Sequence, residues 1–171
     1  MNIRFYAFSR FVLLFGLAAW LTIAAINNLT DPQTNRLFLG QTLSMEMVKA
    51  DSILGSGLIW RAWPAQWSWY LLYGILIFQF FTASLLWHAA VSYSRAITHN
   101  SIRSLVKARD RAVLALTFFL ILWLFFVCGG LWFGYWLKQG VIQSVHMTMI
   151  LITLASLIYV QSDITSDATT S

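Results

Sequence analysis

Four long apolar runs separated by polar segments form the main pattern of this 171-residue chain. Each run is long enough, as a helix, to cross the roughly 30 Å hydrocarbon core of a bilayer. Barrel strands alternate apolar and polar positions, whereas these runs are continuous, so they indicate helices. The pattern predicts an all-α integral membrane protein, a four-helix bundle that forms a single domain. The predicted helices cover residues 5–26, 67–94, 113–136 and 141–160.

The first polar segment, residues 27–66, is too long to be a simple connection. Asp31 followed by Pro32 is a helix-start signal, because a carboxylate accepts hydrogen bonds from the first amides and proline suits the first turn. A short helix through about Val48 is therefore predicted, which makes this loop partly helical. Its apolar residues recur at four-residue spacing, which predicts one apolar face. Those residues are Leu39, Leu43 and Met47.

Composition and charge agree with a membrane protein. Hydrophobic residues make up 59% of the chain and charged residues 10%, whereas soluble domains carry about 25% charged residues. The net charge of +5 comes largely from basic residues beside the apolar runs, so orientation and contact with phospholipids explain it without nucleic acid. Placing the N-terminus and the basic loop 95–112 in the cytoplasm puts seven of the eleven Lys and Arg residues there. Both termini are then cytoplasmic, and the polar tail 161–171 is predicted to be disordered.

Catalytic signals are missing from the sequence. There is no phosphate-binding loop, nucleophile elbow or zinc motif, so we predict no catalytic residue, no metal and no enzyme activity. No acidic residue lies deep in a predicted helix, which argues against ion-coupled transport, even by an oligomer. Cys128 lies in an apolar run, where it acts as a small hydrophobe. The thioethers of Met147 and Met149, beside His146, lie on the same predicted side as the SMEM segment at residues 44–47 and suit copper(I), but methionine is also ordinary apolar filler.

Two histidines are candidates for binding a cofactor. His88 and His146 lie near opposite ends of their helices, roughly 20 Å apart along the membrane normal, which argues against a haem bridging them. Gln143 and His146 share one face of the fourth helix, at its outer end. They could bind a quinone, a lipid or a haem there, or simply hydrogen-bond across the bundle. We predict no resident cofactor and keep this site as the alternative function.

Several segments resemble one known family. They are NNLTDP at residues 27–32, LSM at residues 43–45, the pair Trp60 and Arg61, and a Trp-rich end to the third helix. Together they resemble a family of small bacterial inner-membrane proteins catalogued as predicted small integral membrane proteins of unknown function. The resemblance implies four helices, a Gram-negative inner membrane and hence a periplasmic first loop, but no assigned activity. Gln79 stands where such proteins are expected to have an acidic residue.

We therefore predict a non-catalytic accessory or structural subunit. It would dock onto other membrane protein subunits of a larger inner-membrane complex, such as a respiratory or electron-transfer assembly, with homo-oligomerisation as a further possibility. The G-x-x-x-G of Gly130 and Gly134 would allow close helix packing. The predicted polar anchors of the outer loop are Asp31, Arg36, Glu46 and Arg61, and its predicted packing centre is formed by Trp60 and Trp63.

Overall fold

The computed structural model describes residues 3–162, which fold into six α-helices and three short 3₁₀ helices, with no strand among them. Four of the α-helices are long and apolar enough to cross a membrane. The predicted all-α integral membrane fold is confirmed. The long helices are α1 (Ile3–Thr30), α4 (Ser68–His99), α5 (Ile102–Trp132) and α6 (Gly140–Gln161). Two shorter ones, α2 (Pro32–Ser44) and α3 (Glu46–Lys49), lie between α1 and α4.

The helix boundaries differ most at residues 95–112, which the sequence predicts as a loop. α4 continues through His99 and α5 begins at Ile102, so Asn100 and Ser101 form the whole connection. Arg, Lys and Ala are strong helix formers, and the helices therefore continue beyond the apolar runs that predicted them. Asn100 has a φ of 45°, the left-handed conformation that asparagine often adopts after a helix end.

The other boundaries shift by smaller amounts. α1 continues to Thr30, whereas α5 ends at Trp132, before the predicted residue 136. The helix stops there because Gly134 takes a left-handed φ of 64°, which turns the chain away. α6 includes Gln161, the first residue of the predicted tail. Residues 163–171 of that tail lie outside the described residues.

Two compact units can be distinguished within the chain, and the single membrane domain stays a prediction. The first contains the described residues up to Ile23, the segment Phe80–Leu120 and the described residues from Ile152 onward. We call it the terminal unit. The second contains Ala24–Gln79 and Ile121–Leu151, and we call it the cap unit because it includes α2 and α3.

The interior of the terminal unit is rich in alanine. Small side chains let helix backbones approach closely, which matters in lipid because apolar side chains gain little from leaving it. Buried positions alternate at three- and four-residue spacing, as in helices that pack along one continuous seam. In α4 these positions are Thr82, Leu86, Ala89, Tyr93 and Ala96. In α5 they are Leu105, Ala108, Ala112, Ala115 and Phe119.

The cap unit has its own hydrophobic core. Asp31 caps α2 by accepting a hydrogen bond from the Thr34 amide, as the Asp-Pro signal predicts. Met45 then ends the helix in a left-handed conformation with a φ of 54°. This break turns Met45 inward and leaves Met47 43% exposed. Leu43 and Met47 therefore lie on different helices and do not share the single helical face that the spacing predicts. The core consists of Leu43, Met45, Val48 and Phe133.

Candidate functional site

One carboxylate holds the turn that follows α3. Asp51 Oδ1 accepts hydrogen bonds from the amides of Ile53 and Leu54, both at 2.8 Å, and Asp51 Oδ2 accepts one from Lys138 Nζ. The Lys138 ammonium, followed by the two amides, holds the pKa of the Asp51 carboxyl well below its usual range. The turn presents Ile53 and Leu54 outward, with 81% and 48% of their surfaces exposed. We call these two residues the cap tip.

An open groove of about 470 Å³ lies beside the cap tip. Next to it, Gln139 donates a hydrogen bond to Met47 Sδ at 2.9 Å. This is a second polar contact between the region of α3 and the segment before α6. Asp51 and Lys138 are 87 positions apart, so no local sequence pattern relates them and sequence analysis missed the ion pair. The groove is lined by Met47, Ala50, Asp51, Ser52 and Lys138.

Acidification is expected to loosen the cap tip. The folded-state pKa of Asp51 lies below its ordinary value of 3.8, so the carboxylate stabilises the turn at neutral pH. That stabilisation starts to fall below the ordinary pKa and is lost as the pH passes through the folded-state pKa. Asp51→Asn should therefore speed amide exchange at Ile53 and Leu54 at neutral pH and make the turn less sensitive to acid. Hydrogen exchange, corrected for intrinsic rates, measures both effects.

The matched control for this prediction is Asp110→Asn. Asp110 is exposed and lies 3.6 Å from Arg109, so its loss should leave exchange at the cap tip unchanged. Equal acid sensitivity of the wild type and Asp51→Asn would contradict the assigned role of the carboxylate.

His146 lies among three aromatic rings. Its imidazole stacks on Phe126, with ring centroids 4.9 Å apart and an interplanar angle of 17°, and Trp123 lies 5.7 Å away. Its Nδ1 atom is 3.0 Å from Tyr135 Oη. Burial raises the pKa of the Tyr135 phenol, which therefore stays protonated at neutral pH and can donate to Nδ1. The ring faces and one nitrogen of His146 thus have partners within the chain.

Gln143, on the same face of α6 as His146, has a polar atom that is both buried and unused. Its Oε1 is buried and has no hydrogen-bond partner among the described residues. Leaving such an acceptor unpaired costs on the order of 1–3 kcal/mol, so a ligand hydroxyl would find a ready acceptor here. The methionines considered for copper are not gathered on this side, because Met147 is exposed whereas Met149 is buried. Within the described residues, no three His, Cys, Asp or Glu side chains are placed to hold a metal ion.

Gly130 and Gly134 do not form the predicted helix-packing motif. Gly134 lies beyond the end of α5, in a left-handed conformation. Gly130 faces the ring of Tyr135 so closely that a Cβ atom would lie 1.4 Å from Tyr135 Cε1. The missing side chain at Gly130 thus makes room for the ring whose hydroxyl contacts His146. The two glycines therefore allow the turn that follows α5 and the packing of Tyr135 against that helix.

The two tryptophans predicted as the packing centre of the loop lie at its surface, and their role in partner contacts stays a prediction. Trp60 and Trp63 are 72% and 53% exposed. Their rings make edge-to-face contacts with Trp132 and Phe133, at centroid distances of 5.9 and 5.4 Å. The centre is the Met45-containing core, because the left-handed break after α2 turns aliphatic side chains inward.

The four predicted polar anchors have different roles. Asp31 acts locally as the cap of α2. Glu46 is exposed in the first turn of α3, where a negative charge is favoured by the helix dipole. Arg36 and Arg61 lie against tryptophan rings. Sequence analysis thus found two arginines with tertiary contacts in the loop, but not the aromatic partners that hold them.

Gln79, the position where the resemblance predicts an acidic residue, is 4% exposed. Its Oε1 accepts a hydrogen bond of 2.9 Å from Asn28 Nδ2. The two amides satisfy each other without an ionised group, which suits a low-dielectric interior. The pair joins α4 to the end of α1 and needs no carboxylate.

A buried arginine in the terminal unit is absent from the predicted sites. Arg10 is 2% exposed, and its Nη2 donates to the carbonyl oxygen of Tyr159 at 2.7 Å and to Ser162 Oγ at 2.8 Å. The guanidinium carbon lies 3.2 Å from the ring centroid of Tyr6. Sequence analysis gives Arg10 no role, although the position lies within the first predicted helix, residues 5–26. One signal for its burial is spacing, because Arg10 lies three positions after Ala7 and four before Leu14, and both of those residues are buried in α1.

Comparisons with known proteins identify a family without an assigned activity. A family model described as "Predicted small integral membrane protein (DUF2165)" matches residues 6–163. The match includes nearly all of the four long helices and the whole cap. Searches of curated proteins and of solved structures find no match.

Proposed function

We propose that this chain, which belongs to the family of predicted small integral membrane proteins (DUF2165), is a non-catalytic accessory subunit of a larger inner-membrane complex. The loop of the cap unit that contains α2 and α3, which we call the cap, would face the periplasm of a Gram-negative bacterium, with both termini in the cytoplasm. Seven of the eleven Lys and Arg residues lie near the N-terminus or at residues 95–111, which supports this orientation by the positive-inside rule. In that orientation the cap is the part offered to a partner outside the membrane.

The observation that carries the proposal is the cap tip. Ile53 and Leu54 are apolar and exposed in a polar loop, so packing within the chain does not explain them. Asp51 fixes the backbone of both residues, and Lys138 fixes Asp51. Apolar side chains on a backbone that is already ordered lose little conformational entropy on binding, which favours a specific contact.

The surroundings of the cap tip indicate the kind of partner. The adjacent groove carries a paired carboxylate and ammonium together with Ser52, so its rim is polar while the tip is apolar. An apolar centre with a polar rim is the usual anatomy of a protein interface. The partner fitted by this surface is the periplasmic part of another membrane subunit, with a pocket that accepts two aliphatic side chains.

Replacing the two apolar side chains of the cap tip tests the proposal. The double variant Ile53→Ser with Leu54→Ser should reduce stoichiometric copurification of a partner in mild detergent by at least about tenfold, since burying each aliphatic side chain contributes roughly 1.5–3 kcal/mol. Quantitative mass spectrometry of a tagged pull-down from native membranes measures the loss. Leu37→Ser is the matched control, because Leu37 is 60% exposed elsewhere in the cap. A wild-type protein that purifies alone, or a double variant that keeps its partner, would contradict the proposal.

The unpaired Gln143 Oε1 favours a second candidate function, the binding of a hydroxyl-bearing ligand such as a quinol beside His146. The sample from the pull-down separates the two candidates. An organic extract that contains quinone from the wild type but not from Gln143→Leu would favour the ligand site. A visible spectrum of the same sample reports any haem.

A further inference from the structure

A cation without a carboxylate partner lies among the exposed tryptophans of the cap unit. The guanidinium carbon of Arg61 is 5.2 Å from the ring centroid of Trp60 and 4.8 Å from that of Trp132. Arg61 Nη1 also donates to the carbonyl oxygen of Trp132 at 3.4 Å. The ion pairs found within residues 3–162 join other residues, so no carboxylate there neutralises the charge of Arg61.

This cluster lies at the ends of two membrane-spanning segments. Trp132 is the last residue of α5, and Arg61 comes four positions before Ala65, where the second candidate span begins. Tryptophan is enriched at the level of lipid headgroups, because the indole has an apolar body and one polar N–H. Trp60 and Trp132 are 72% and 46% exposed, so their rings are open to lipid on the outside of the unit.

The geometry leaves donors of Arg61 available. The attraction between a cation and a ring face uses no N–H group, and a guanidinium carries five N–H groups along its edge. The carbonyl of Trp132 takes one of these donors, and the Nε–H is buried without a partner among the described residues. A phosphate accepts two parallel N–H groups from a guanidinium and supplies the missing negative charge.

We propose that Arg61, which lies beside the contacting rings of Trp60 and Trp132, binds the phosphate of an anionic phospholipid in the outer leaflet of the membrane. The indole rings pack against the glycerol and upper acyl region, while the guanidinium edge bonds the phosphate. This site does not depend on the docking function proposed for the cap tip, since it uses other residues of the cap unit, but its assignment to the outer leaflet rests on the proposed orientation.

Lipid retention by the purified full-length protein tests the site. Delipidated protein in detergent is mixed with phosphatidylglycerol and examined by native mass spectrometry and thermal unfolding. Arg61→Gln should retain about tenfold less lipid than the wild type, as expected for loss of a charge-assisted pair of hydrogen bonds. The lipid should raise the Tm of the wild type and not that of the variant.

Two further variants keep the test decisive. Lys49→Gln removes one exposed cation from the same cap and should retain lipid like the wild type. Trp60→Leu alters a side chain that is 72% exposed, so it should fold normally and still retain less lipid. Normal retention by both Arg61→Gln and Trp60→Leu would overturn the proposal. Equal losses in Lys49→Gln would overturn it in favour of general charge attraction, and an equal rise in Tm with inorganic phosphate would overturn the assignment to lipid.

Discussion

Gly130→Ala is expected to lower the free energy of unfolding by about 3 kcal/mol, through overpacking and a lost hydrogen bond. The new Cβ atom would lie 1.4 Å from Tyr135 Cε1 and 2.3 Å from Cδ1. Tyr135 is only 7% exposed, so its ring has little free space into which to move. Its displacement also breaks the contact between the phenol and His146 Nδ1. Thermal unfolding in detergent should show a Tm lower by about 6–12 °C.

Gly129 supplies the matched control on the same helix. Nothing lies within 4 Å of a Cβ built at Gly129, so Gly129→Ala should be neutral or stabilise α5 by up to about 1 kcal/mol. A double-mutant cycle with Tyr135→Leu identifies the obstacle, because Gly130→Ala should cost much less once the ring is absent. An equal cost in both backgrounds would show that the ring is not the cause.

Arg10→Met is expected to destabilise the terminal unit by about 3 kcal/mol, because hydrogen bonds to a charged group contribute roughly 1.5–3 kcal/mol each and dehydration of the guanidinium offsets part of that. Tyr159 lies in the last turn of α6, where carbonyl groups lack donors within the helix, and Arg10 supplies one. The substitution also removes the contact of the cation with the ring of Tyr6. Equilibrium unfolding in mixed micelles measures the change.

Two variants isolate the cause of this loss. Arg103→Met removes an exposed arginine of α5 and should change stability by less than about 0.5 kcal/mol. Arg10→Lys keeps the charge but cannot stack and donate in a planar fork, so it should recover part of the stability. If Arg10→Met proves as stable as the wild type, the dehydration of the guanidinium cancels its contacts and the assigned role is wrong.

Sequence patterns predicted a helix correctly where the residues of that segment alone determine whether it forms. The four apolar runs identify the four long helices, and Asp31 with Pro32 identifies the start of α2. The predicted membership of a family of small integral membrane proteins of unknown function is confirmed. Boundaries were less reliable, because helix-forming basic residues extend α4 and α5 beyond the apolar runs.

The candidate site was harder to predict because single backbone conformations redirect the chain. The left-handed Met45 turns its own side chain into the cap core and leaves Met47 at the surface. The left-handed Gly134 ends α5 and brings Tyr135 back over Gly130. Neither conformation has a strong local signature, since methionine rarely adopts it and a glycine inside an apolar run is ambiguous.

The length and continuity of its apolar runs made this chain a four-helix membrane protein, since a bilayer accepts uninterrupted apolar helices and these are properties of each segment alone. The positions of its charged groups could not be read in the same way. Asp51 meets Lys138 across 87 positions, and Arg10 meets Ser162 across 152. Such pairs form because folding brings both groups to the same place, and their free energy depends on neighbours that no single segment contains.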